Sequence, residues 1–360
     1  MTDFATRAVH AGLTPDPHFG SVIPAIHQTS TYRQPKPGEF VEDFDYSRSA
    51  NPTRAALERA LGELEGGHGS AFSSGMAATH ALLTAATGAG KHVVLPNDLY
   101  GGTYRLVDKV LTRFGLEYTL VDQTEPQAVV DALTPETAVV WIETPTNPLL
   151  NVVDVAEVVR RVKAARPDVL VAVDNTFATP VVQRPLELGA DAVVHSTTKY
   201  LGGHSDVVGG AVIVRDEQLH ERVRFVQNAV GSVPGPFDAF LVHRGLRTLH
   251  LRVAAHTANA REVVAFLQGA PGVTGVRWPG FGGMVSFQHP DALGIVSRTE
   301  LFTLAESLGG VESLIEVPQA MTHQSVEGSD AAVPPDLVRL SVGVESAPDL
   351  VADLRQALTG

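Results

Sequence analysis

The chain has 360 residues, of which 44% are hydrophobic, and its formal net charge at pH 7 is -13. This length allows two domains, or one large α/β domain with an appendage, around a full hydrophobic core. The acidic balance argues against nucleic acid and against an anionic membrane as partners, because either would require clustered lysines and arginines. Cysteine is absent, which excludes disulfides, thiolate metal sites and a cysteine nucleophile.

We expect neither a leader peptide nor a membrane span. The N-terminus lacks a basic region followed by an apolar core, and no later segment approaches the ~18 uninterrupted apolar residues of a span. Disulfides would have indicated an oxidising compartment, and they are excluded. We therefore expect a cytoplasmic protein that acts on small substrates and binds neither membrane nor nucleic acid.

The chain begins with a predicted extended arm. Five prolines lie between Thr14 and Gly38 and deny this stretch a regular helix. An arm of this length is suited to contacting a neighbouring subunit. Tyr46 and Arg48 follow in irregular chain, just before a turn predicted at Asn51-Pro52.

Two helices are predicted after this turn. Thr53 is expected to cap the first, which ends near Glu65 at a cluster of glycines. The second is predicted from Ala71 to about Thr87. Free amides at the start of that helix, those of Gly75 and Met76, would form an anion site.

Strands and helices then alternate regularly. Strands are predicted near His92–Leu95, Glu117–Val121, Ala138–Ile142, Val169–Val173 and Ala192–His195, with helices near Tyr104–Phe114, Gln127–Ala132 and Val155–Ala165. Such repeated units predict an α/β fold with a parallel sheet covered on both faces. Polar residues follow several of these strands, at the carboxyl ends where ligands bind in such sheets.

The last third of the chain is predicted to form a smaller domain. Helical periodicity from about Phe237 to Leu267 leads to strands at Met284–Gln288 and Leu337–Val342 and to a last helix near Asp349–Leu358. We divide the chain into an N-terminal arm (1–53), a cofactor-binding domain (54–240), and a linking helix with a C-terminal substrate domain (241–360).

Two segments imitate nucleotide-binding motifs without satisfying them. Residues 87–92 resemble a phosphate loop, but a helix precedes them and a strand follows, the reverse of the required order. The glycine cluster at 66–69 likewise follows a helix. The 14 histidines include no HExxH and no His-x-x-x-His pair, so we predict no metal site.

Lys199 is the most informative residue of the sequence. It follows the strand predicted at Ala192–His195, in a loop of hydroxyls and glycines that leads to a second β-branched run. A solvated surface position is the usual explanation for a lone lysine. Here, however, Ser196 and Thr198 on one side and glycines on the other suit a lysine joined to a phosphorylated aldehyde. This setting predicts pyridoxal phosphate as the cofactor.

The other requirements of that cofactor have candidates as well. Burial at the end of an apolar strand would raise the pKa of Asp174 unless a cation such as the pyridinium pairs with it, although a helix cap is the alternative role. Tyr100 lies in a turn where its ring could stack on the cofactor. The phosphate donors are predicted to be Gly75, Met76, Ser196 and Thr198, with Arg48 as a guanidinium fork.

These residues belong to a set of motifs that spans nearly the whole chain. The motifs are Tyr46-Ser47-Arg48, Asn51-Pro52-Thr53-Arg54, Ser74-Gly75-Met76, Tyr100-Gly101-Gly102-Thr103, Glu143-Thr144-Pro145-Thr146-Asn147-Pro148, Asp174-Asn175-Thr176, His195-Ser196-Thr197-Thr198-Lys199, Glu306-Ser307-Leu308-Gly309-Gly310, Met321-Thr322-His323 and Arg339-Leu340-Ser341. In this order they resemble the Cys/Met-metabolism family of pyridoxal-phosphate enzymes, particularly its cystathionine γ-synthases and γ-lyases.

The resemblance implies a role for each site residue. It makes Lys199 the Schiff-base lysine and proton shuttle, with Asp174 on the pyridinium, Tyr100 stacked on the ring as a second catalytic residue, and Asn147 at the ring hydroxyl. It implies that Gly75, Met76, Ser196 and Thr198 hold the phosphate, and that Tyr46 and Arg48 reach the phosphate of the adjacent subunit. It implies substrate binding by Arg339 and Ser307, on the α-carboxylate, and by Glu306 and Asn147.

The resemblance also implies an architecture. The expected fold is the aspartate-aminotransferase type (fold type I), with a mostly parallel central sheet and a smaller C-terminal α/β domain, assembled as a homotetramer of two dimers with shared sites. One departure concerns connectors: Trp278-Pro279-Gly280 runs directly into Phe281-Gly282-Gly283-Met284, and residues 289–299 also form a short segment. Deletions or missing segments would both explain this.

The predicted reaction is γ-replacement, in which an O-acylhomoserine and cysteine give cystathionine. The alternative is a γ-lyase that cleaves cystathionine to cysteine, 2-oxobutanoate and ammonia. A non-catalytic cofactor-binding protein is a third reading, which the complete set of cofactor residues disfavours. Gly102 stands where methionine γ-lyases would have Cys, and residues 307–310 resemble γ-acting members more than β-lyases. The sequence does not decide whether the main activity is that of a synthase or a lyase. It also does not decide whether the donor carries an acetyl or a succinyl group.

Overall fold

The computed structural model describes residues 2–16, 18–322 and 333–359. Its larger sheet has seven strands in the spatial order β1-β7-β6-β5-β4-β2-β3. These strands are β1 (His68–Phe72), β2 (His92–Pro96), β3 (Glu117–Val121), β4 (Thr137–Glu143), β5 (Leu170–Asp174), β6 (Ala192–Ser196) and β7 (Gly210–Val214). Only β7 runs antiparallel to its neighbours, which confirms the predicted α/β class with a mostly parallel central sheet.

A second sheet of five strands lies in the C-terminal part of the chain, in the order β10-β11-β12-β9-β8. Its strands are β8 (Thr274–Arg277), β9 (Met284–Gln288), β10 (Thr303–Leu304), β11 (Leu314–Glu316) and β12 (Leu337–Ser341). The pairings are antiparallel except that of β10 with β11. The short connector between β8 and β9 closes on itself, because Trp278 Nε1 donates to the carbonyl of Gly282 at 3.0 Å.

Helices connect and cover both sheets. They are α1 (Phe4–His10), α2 (Pro52–Glu65), α3 (Gly75–Ala86), α4 (Gly101–Lys109), α5 (Pro126–Asp131), α6 (Val155–Ala165), α7 (Thr179–Val182), α8 (Glu217–Val230), α9 (Pro236–Leu246), α10 (Leu249–Leu267), α11 (Ala292–Arg298) and α12 (Ala347–Thr359), with 3-10 turns at Leu111–Phe114, Pro185–Leu188 and Pro318–Ala320. Among the described residues, no helix is long and apolar enough to cross a membrane.

The parallel strands form the centre of the molecule because both of their faces are buried. Val139, Val140, Trp141 and Ile142 of β4 are fully buried, as are Val171, Ala172 and Val173 of β5. Such continuous apolar runs are typical of strands with helices on both sides. Each fully buried valine stabilises the fold by about 1.5–3 kcal/mol relative to an exposed one, so these strands give the carboxyl edge of the sheet a rigid base.

The structure corrects the predicted start of the second helix. Ala71 and Phe72 do not open it: they belong to β1 and pair with β7, while the helix begins at Gly75. The reason is a pairing across more than a hundred residues, which local periodicity cannot reveal.

The cap of the first helix is also corrected. Asn51, and not Thr53, caps α2: its Oδ1 accepts hydrogen bonds from the amides of Thr53 at 2.9 Å and Arg54 at 3.3 Å. With Pro52 as the first helical residue, Thr53 is already inside the helix, and its hydroxyl oxygen instead accepts a hydrogen bond from the amide of His27 at 2.8 Å.

The long helix predicted over residues 237–267 is two helices. Between α9 and α10, the carbonyl of Gly245 accepts from Arg252 Nη2 at 2.7 Å and from the amide of Thr248 at 3.2 Å, and not from the amide four residues on. A carbonyl occupied by a side chain in this way no longer continues the regular helical ladder.

Candidate active site

A cavity of about 250 Å³ lies at the carboxyl ends of β4, β5 and β6 and is closed by residues of the C-terminal part. Most of the predicted site residues line it together: Gly75, Met76, Tyr100, Asn147, Asp174, Ser196, Thr198, Lys199, Glu306, Ser307 and Arg339. Tyr46 and Arg48 do not. The strand ends bring residues from distant parts of the sequence to one point, as parallel sheets do.

Lys199 reaches the cavity from the loop between β6 and β7. Its Nζ donates a hydrogen bond to Ser307 Oγ at 2.8 Å. Burial, and next the positive charge of Arg339, lower the pKa of the Lys199 amine to about 8. A larger fraction of this amine is therefore neutral near neutral pH than in an ordinary lysine. Lys199 is therefore equipped to act as a nucleophile and as a base.

Asp174 ends β5 and faces the same cavity. Its Oδ1 accepts hydrogen bonds from the amide of Thr176 at 3.0 Å and from the Thr176 hydroxyl at 2.5 Å. Burial raises the pKa of Asp174 despite these two bonds. A cationic ligand atom beside the carboxyl would favour its ionised form, so the geometry suits a protonated ring nitrogen.

Glu143, at the end of β4, pairs in register with Asp174 and positions two of the predicted site residues. Its carboxyl accepts from the amide of Tyr100 at 3.0 and 3.1 Å and from the amide of Asn147 at 3.0 Å. Burial, and then the charge of Asp174, raise the pKa of Glu143 well above its ordinary value. The sequence analysis gave Glu143 no role, and its position at the end of an apolar strand, like that of Asp174, is the signal that could have indicated one.

The start of α3 provides donors for an anion. The side chain of Ser74 caps the helix by accepting from the amide of Ala77 at 3.0 Å. The amides of Gly75 and Met76 lie in the first turn, where the helix itself provides no carbonyl for them, so they can donate to an anion. A Cβ on Gly75 would lie 2.9 Å from Cβ of Ser196, so only glycine allows the helix to approach β6 this closely. Thr198 adds a hydroxyl, held by the amide of Gly209 at 3.0 Å.

Arg339 lies in β12 and is held on three sides. Its Nη1 is 3.0 Å from Oε1 of Glu316 and 2.8 Å from Oδ1 of Asn147, and its Nη2 donates to the carbonyl of Ser307 at 3.0 Å. Ser307 has a left-handed φ of 89°, which turns its carbonyl toward the guanidinium. A planar guanidinium fixed in this way can hold a carboxylate by two parallel hydrogen bonds.

Glu316 is a part of the site that the sequence analysis missed. It pairs in register with Arg339 between β11 and β12, and it also accepts from the Thr322 hydroxyl at 2.8 Å. Burial raises the pKa of Glu316, while the neighbouring Arg339 opposes this shift. Its only sequence signal is an acid inside the apolar run 314–317. His323, the last residue of one family motif, lies outside the described residues.

Tyr46 and Arg48 line a separate groove with Gly231 and residues 233–236. Arg48 Nη1 donates to the carbonyl of Asn228 at 3.0 Å, and its guanidinium lies 5.8 Å from the Tyr46 ring. The buried Arg54 fixes this segment by donating to the carbonyls of Ser47 at 2.6 Å and of Ser49 at 2.8 Å. Arg54, too, was missed as a positioning residue.

The donor set fits pyridoxal phosphate. A lysine of lowered pKa for an aldehyde, a buried acid that requires a cation and a helix start for a dianion surround one cavity. When bound, this cofactor supplies an electron-withdrawing ring that stabilises negative charge on a substrate carbon. In the described parts of the chain, no three His, Asp or Glu side chains are grouped to hold a metal ion.

Comparison with known proteins agrees with this chemistry. A family model described as "Cys/Met metabolism PLP-dependent enzyme" matches residues 5–359. The cystathionine gamma-synthase of Mycobacterium tuberculosis is 52% identical over 375 residues, covering 98% of this chain and 96% of the relative. The cystathionine beta-lyase of Lactococcus lactis subsp. lactis is 47% identical over 381 residues, covering 99% of both.

A solved structure shares the fold. The cystathionine gamma synthase of Xanthomonas oryzae pv. oryzae, in complex with cystathionine, superposes with a TM-score of 0.96 at 42% identity and covers 100% of this chain and 98% of its own. This confirms the predicted fold class and the cofactor. The protein is therefore a transsulfuration enzyme that belongs to the Cys/Met-metabolism family of pyridoxal-phosphate-dependent enzymes.

Proposed function

We propose that the protein is a cystathionine γ-synthase. In this reaction the Cγ–O bond of an O-acylhomoserine breaks, a Cγ–S bond to cysteine forms, and the thiol proton balances the released carboxylate. The arrangement of Lys199, Ser307 and Arg339 carries the proposal. Arg339 binds the carbonyl of Ser307 while Lys199 binds its hydroxyl, so a carboxylate held by Arg339 lies beside the base.

This juxtaposition suits γ-chemistry because one base must move protons at both Cα and Cβ of the substrate. Lys199 is the buried amine in reach of that position, and its pKa near 8 lets it accept and return a proton near neutral pH. The relatives named above, a γ-synthase among them, support the same class of substrates. We propose that Glu306 and Asn147, which line the cavity, contact the remaining part of the amino acid.

The cofactor roles follow the positions of the side chains. We infer that Lys199 binds the aldehyde covalently, that Asp174 pairs with the ring nitrogen, and that the face of Tyr100 lies on the ring. Gly102 supports the placement of Tyr100. A Cβ at position 102 would lie 2.4 Å from the Tyr100 ring, so the ring can occupy this position only because residue 102 is glycine. The phosphate is assigned to Gly75, Met76, Ser196 and Thr198.

Cystathionine γ-lyase activity is the alternative, because the same residues serve γ-elimination. Product analysis separates the two: O-succinylhomoserine with cysteine in one tube, O-acetylhomoserine with cysteine in a second, and cystathionine alone in a third. We expect cystathionine to form from one of the O-acylhomoserines and cysteine faster than cystathionine alone is consumed. Faster formation of 2-oxobutanoate from cystathionine would identify a γ-lyase, and pyruvate with homocysteine would identify a β-lyase. No turnover with any of them would leave the non-catalytic alternative.

We further propose a homotetramer built from dimers that share their active sites. Two observations support it: Arg48 and Tyr46 line a groove outside the cavity of their own chain, and the arm exposes Phe19 at 92% and Val22 at 78% of their surface. Exposed apolar surface of this kind is typical of subunit contacts. We also propose the division into an arm (1–53), a cofactor domain (54–240) and a C-terminal domain (241–360). We propose a cytoplasmic location as well, because the chain contains no cysteine and therefore no disulfides.

Mixing two inactive variants tests the shared site. Arg48→Ala and Lys199→Ala chains, refolded together, form hybrid dimers in which one site has lost both residues and the other has lost neither. If chains pair at random, roughly half of the dimers are hybrids with one intact site each, so about a quarter of wild-type activity should return. Hybrids detected by mass without any recovered activity would show that Arg48 serves its own chain.

A further inference from the structure

A buried acid–base pair lies behind the cofactor-binding edge of the larger sheet. Glu65 is the last residue of α2 and its side chain is 1% exposed, while His195 lies in β6 and its side chain is 0% exposed. The Glu65 Oε1 atom is 2.6 Å from His195 Nε2. The same Oε1 accepts from Asn175 Nδ2 at 3.1 Å. Among the described residues, Glu65 Oε2 and His195 Nδ1 are buried without a hydrogen-bond partner.

Burying this pair costs free energy. A carboxylate at the C-terminus of a helix faces the negative end of the helix dipole, and burial removes it from water. Well-packed apolar residues of similar volume stabilise a core at least as well as a buried ion pair does. Packing alone therefore does not explain an acid and a histidine at this point.

The position of the pair relative to the cavity suggests its use. Alternate residues of β5 and β6 face the cavity, among them Asp174 and Ser196, and both strand ends are joined there through Thr176, whose hydroxyl accepts from the amide of Ser196 at 2.9 Å. The intervening residues Asn175 and His195 point to the opposite side, where Glu65 binds both. The two strand ends are thus joined on both faces of the sheet.

We propose that the Glu65–His195 pair is a positioning element of the cofactor site, which fixes the spacing between Asp174 and Ser196. This rests on the roles given to those two residues under the proposed function. Burial raises the pKa of Asp174, and the charge of His195 is among the influences that lower it, after the two hydrogen bonds from Thr176. Through Asp174, the pair affects the ring nitrogen without touching the cofactor.

His195→Gln tests the proposal against a matched control, His92→Gln. Glutamine at 195 keeps a polar donor but replaces the rigid imidazole ring that meets Glu65 at 2.6 Å. His92 is also buried in this sheet, but it lies at the amino end of β2, where its ring forms hydrogen bonds with the hydroxyls of Thr137 and Thr119 at 2.9 and 3.0 Å. Three properties are measured: urea unfolding of the cofactor-free protein, the dissociation constant for pyridoxal phosphate, and the absorbance spectrum of the bound cofactor.

We expect His195→Gln to weaken cofactor binding at least tenfold and to change the spectrum, while His92→Gln lowers only the stability. An unchanged dissociation constant and spectrum in His195→Gln, with reduced stability alone, would overturn the proposal. If His195→Gln does not fold, Glu65→Gln gives the same test. It keeps an oxygen for His195 and Asn175, and it should change the spectrum while weakening binding less.

Asp174→Asn separates this proposal from the proposed function. If it alters the spectrum and His195→Gln does not, only the role of the pair is wrong. If Asp174→Asn alters neither affinity nor spectrum, the assignment of Asp174 to the ring nitrogen fails, and the role of the pair fails with it. A wild-type spectrum that does not change on cofactor addition would refute the cofactor site itself.

Discussion

Replacing Glu316 by glutamine should destabilise the substrate-free enzyme and tighten its binding of a carboxylate. Arg339 is 3% exposed and Glu316 1% exposed, and their side chains meet at 3.0 Å. Glutamine has nearly the same volume and keeps an oxygen for Arg339 and for Thr322. The substitution therefore removes the charge and leaves the packing intact, so that Arg339 becomes a buried cation without its counter-ion.

The size of the effect follows from the burial of the pair. Breaking a buried ion pair by removing one partner costs about 3–5 kcal/mol, and because glutamine retains one hydrogen bond we expect the lower end, about 3 kcal/mol. A carboxylate bound by Arg339 supplies the missing charge and recovers part of this loss. Recovery of about 1.4 kcal/mol would lower the dissociation constant of an amino acid about tenfold.

Urea unfolding and ligand titration measure both effects. Norleucine, which has a carboxylate but no leaving group at Cγ, is compared with pentylamine, which lacks the carboxylate. Glu187→Gln is the control, because Glu187 forms an ion pair with Arg184 at the surface, where such pairs contribute about 0–1 kcal/mol. The reasoning is refuted if Glu316→Gln costs no more than Glu187→Gln, or if pentylamine binding tightens as much as norleucine binding.

Two more predictions concern the cofactor. Gly75→Ala should weaken pyridoxal phosphate binding at least tenfold and destabilise the protein by about 1–3 kcal/mol, because the new Cβ would lie 2.9 Å from Cβ of Ser196. Gly88→Ala is the control, because a Cβ there meets no atom within 4 Å and should change neither property. Equal effects in both variants would contradict the prediction. The rate at which the cofactor-free protein recombines with pyridoxal phosphate should rise with pH around a midpoint near 8, because only the neutral amine of Lys199 attacks the aldehyde and burial lowers its pKa to about 8. Stopped-flow absorbance would measure this, and a midpoint near the ordinary lysine value would show that burial does not lower the pKa.

The family motifs explain how much of the site could be predicted. Lys199, Asp174 and Gly75 each belong to a short segment whose residue types reflect a local requirement: a loop after a strand, the end of an apolar strand, and the start of a helix. Strand-to-helix alternation then places these segments at one edge of a parallel sheet. The structure does bring the three residues to one cavity, whereas their chemical roles stay predictions.

The sequence by itself determined the α/β class, the alternating elements of the sheet and most of the predicted residues that line the cavity, because each of these depends on a local pattern. Only the tertiary structure decided that Glu316 faces Arg339, that Glu65 meets His195 across 130 residues, and that Ala71 and Phe72 form an edge strand. Those arrangements depend on which distant segments pack together. A buried carboxylate gives no local signal of its partner, since the cation or donor that stabilises it is supplied by another element.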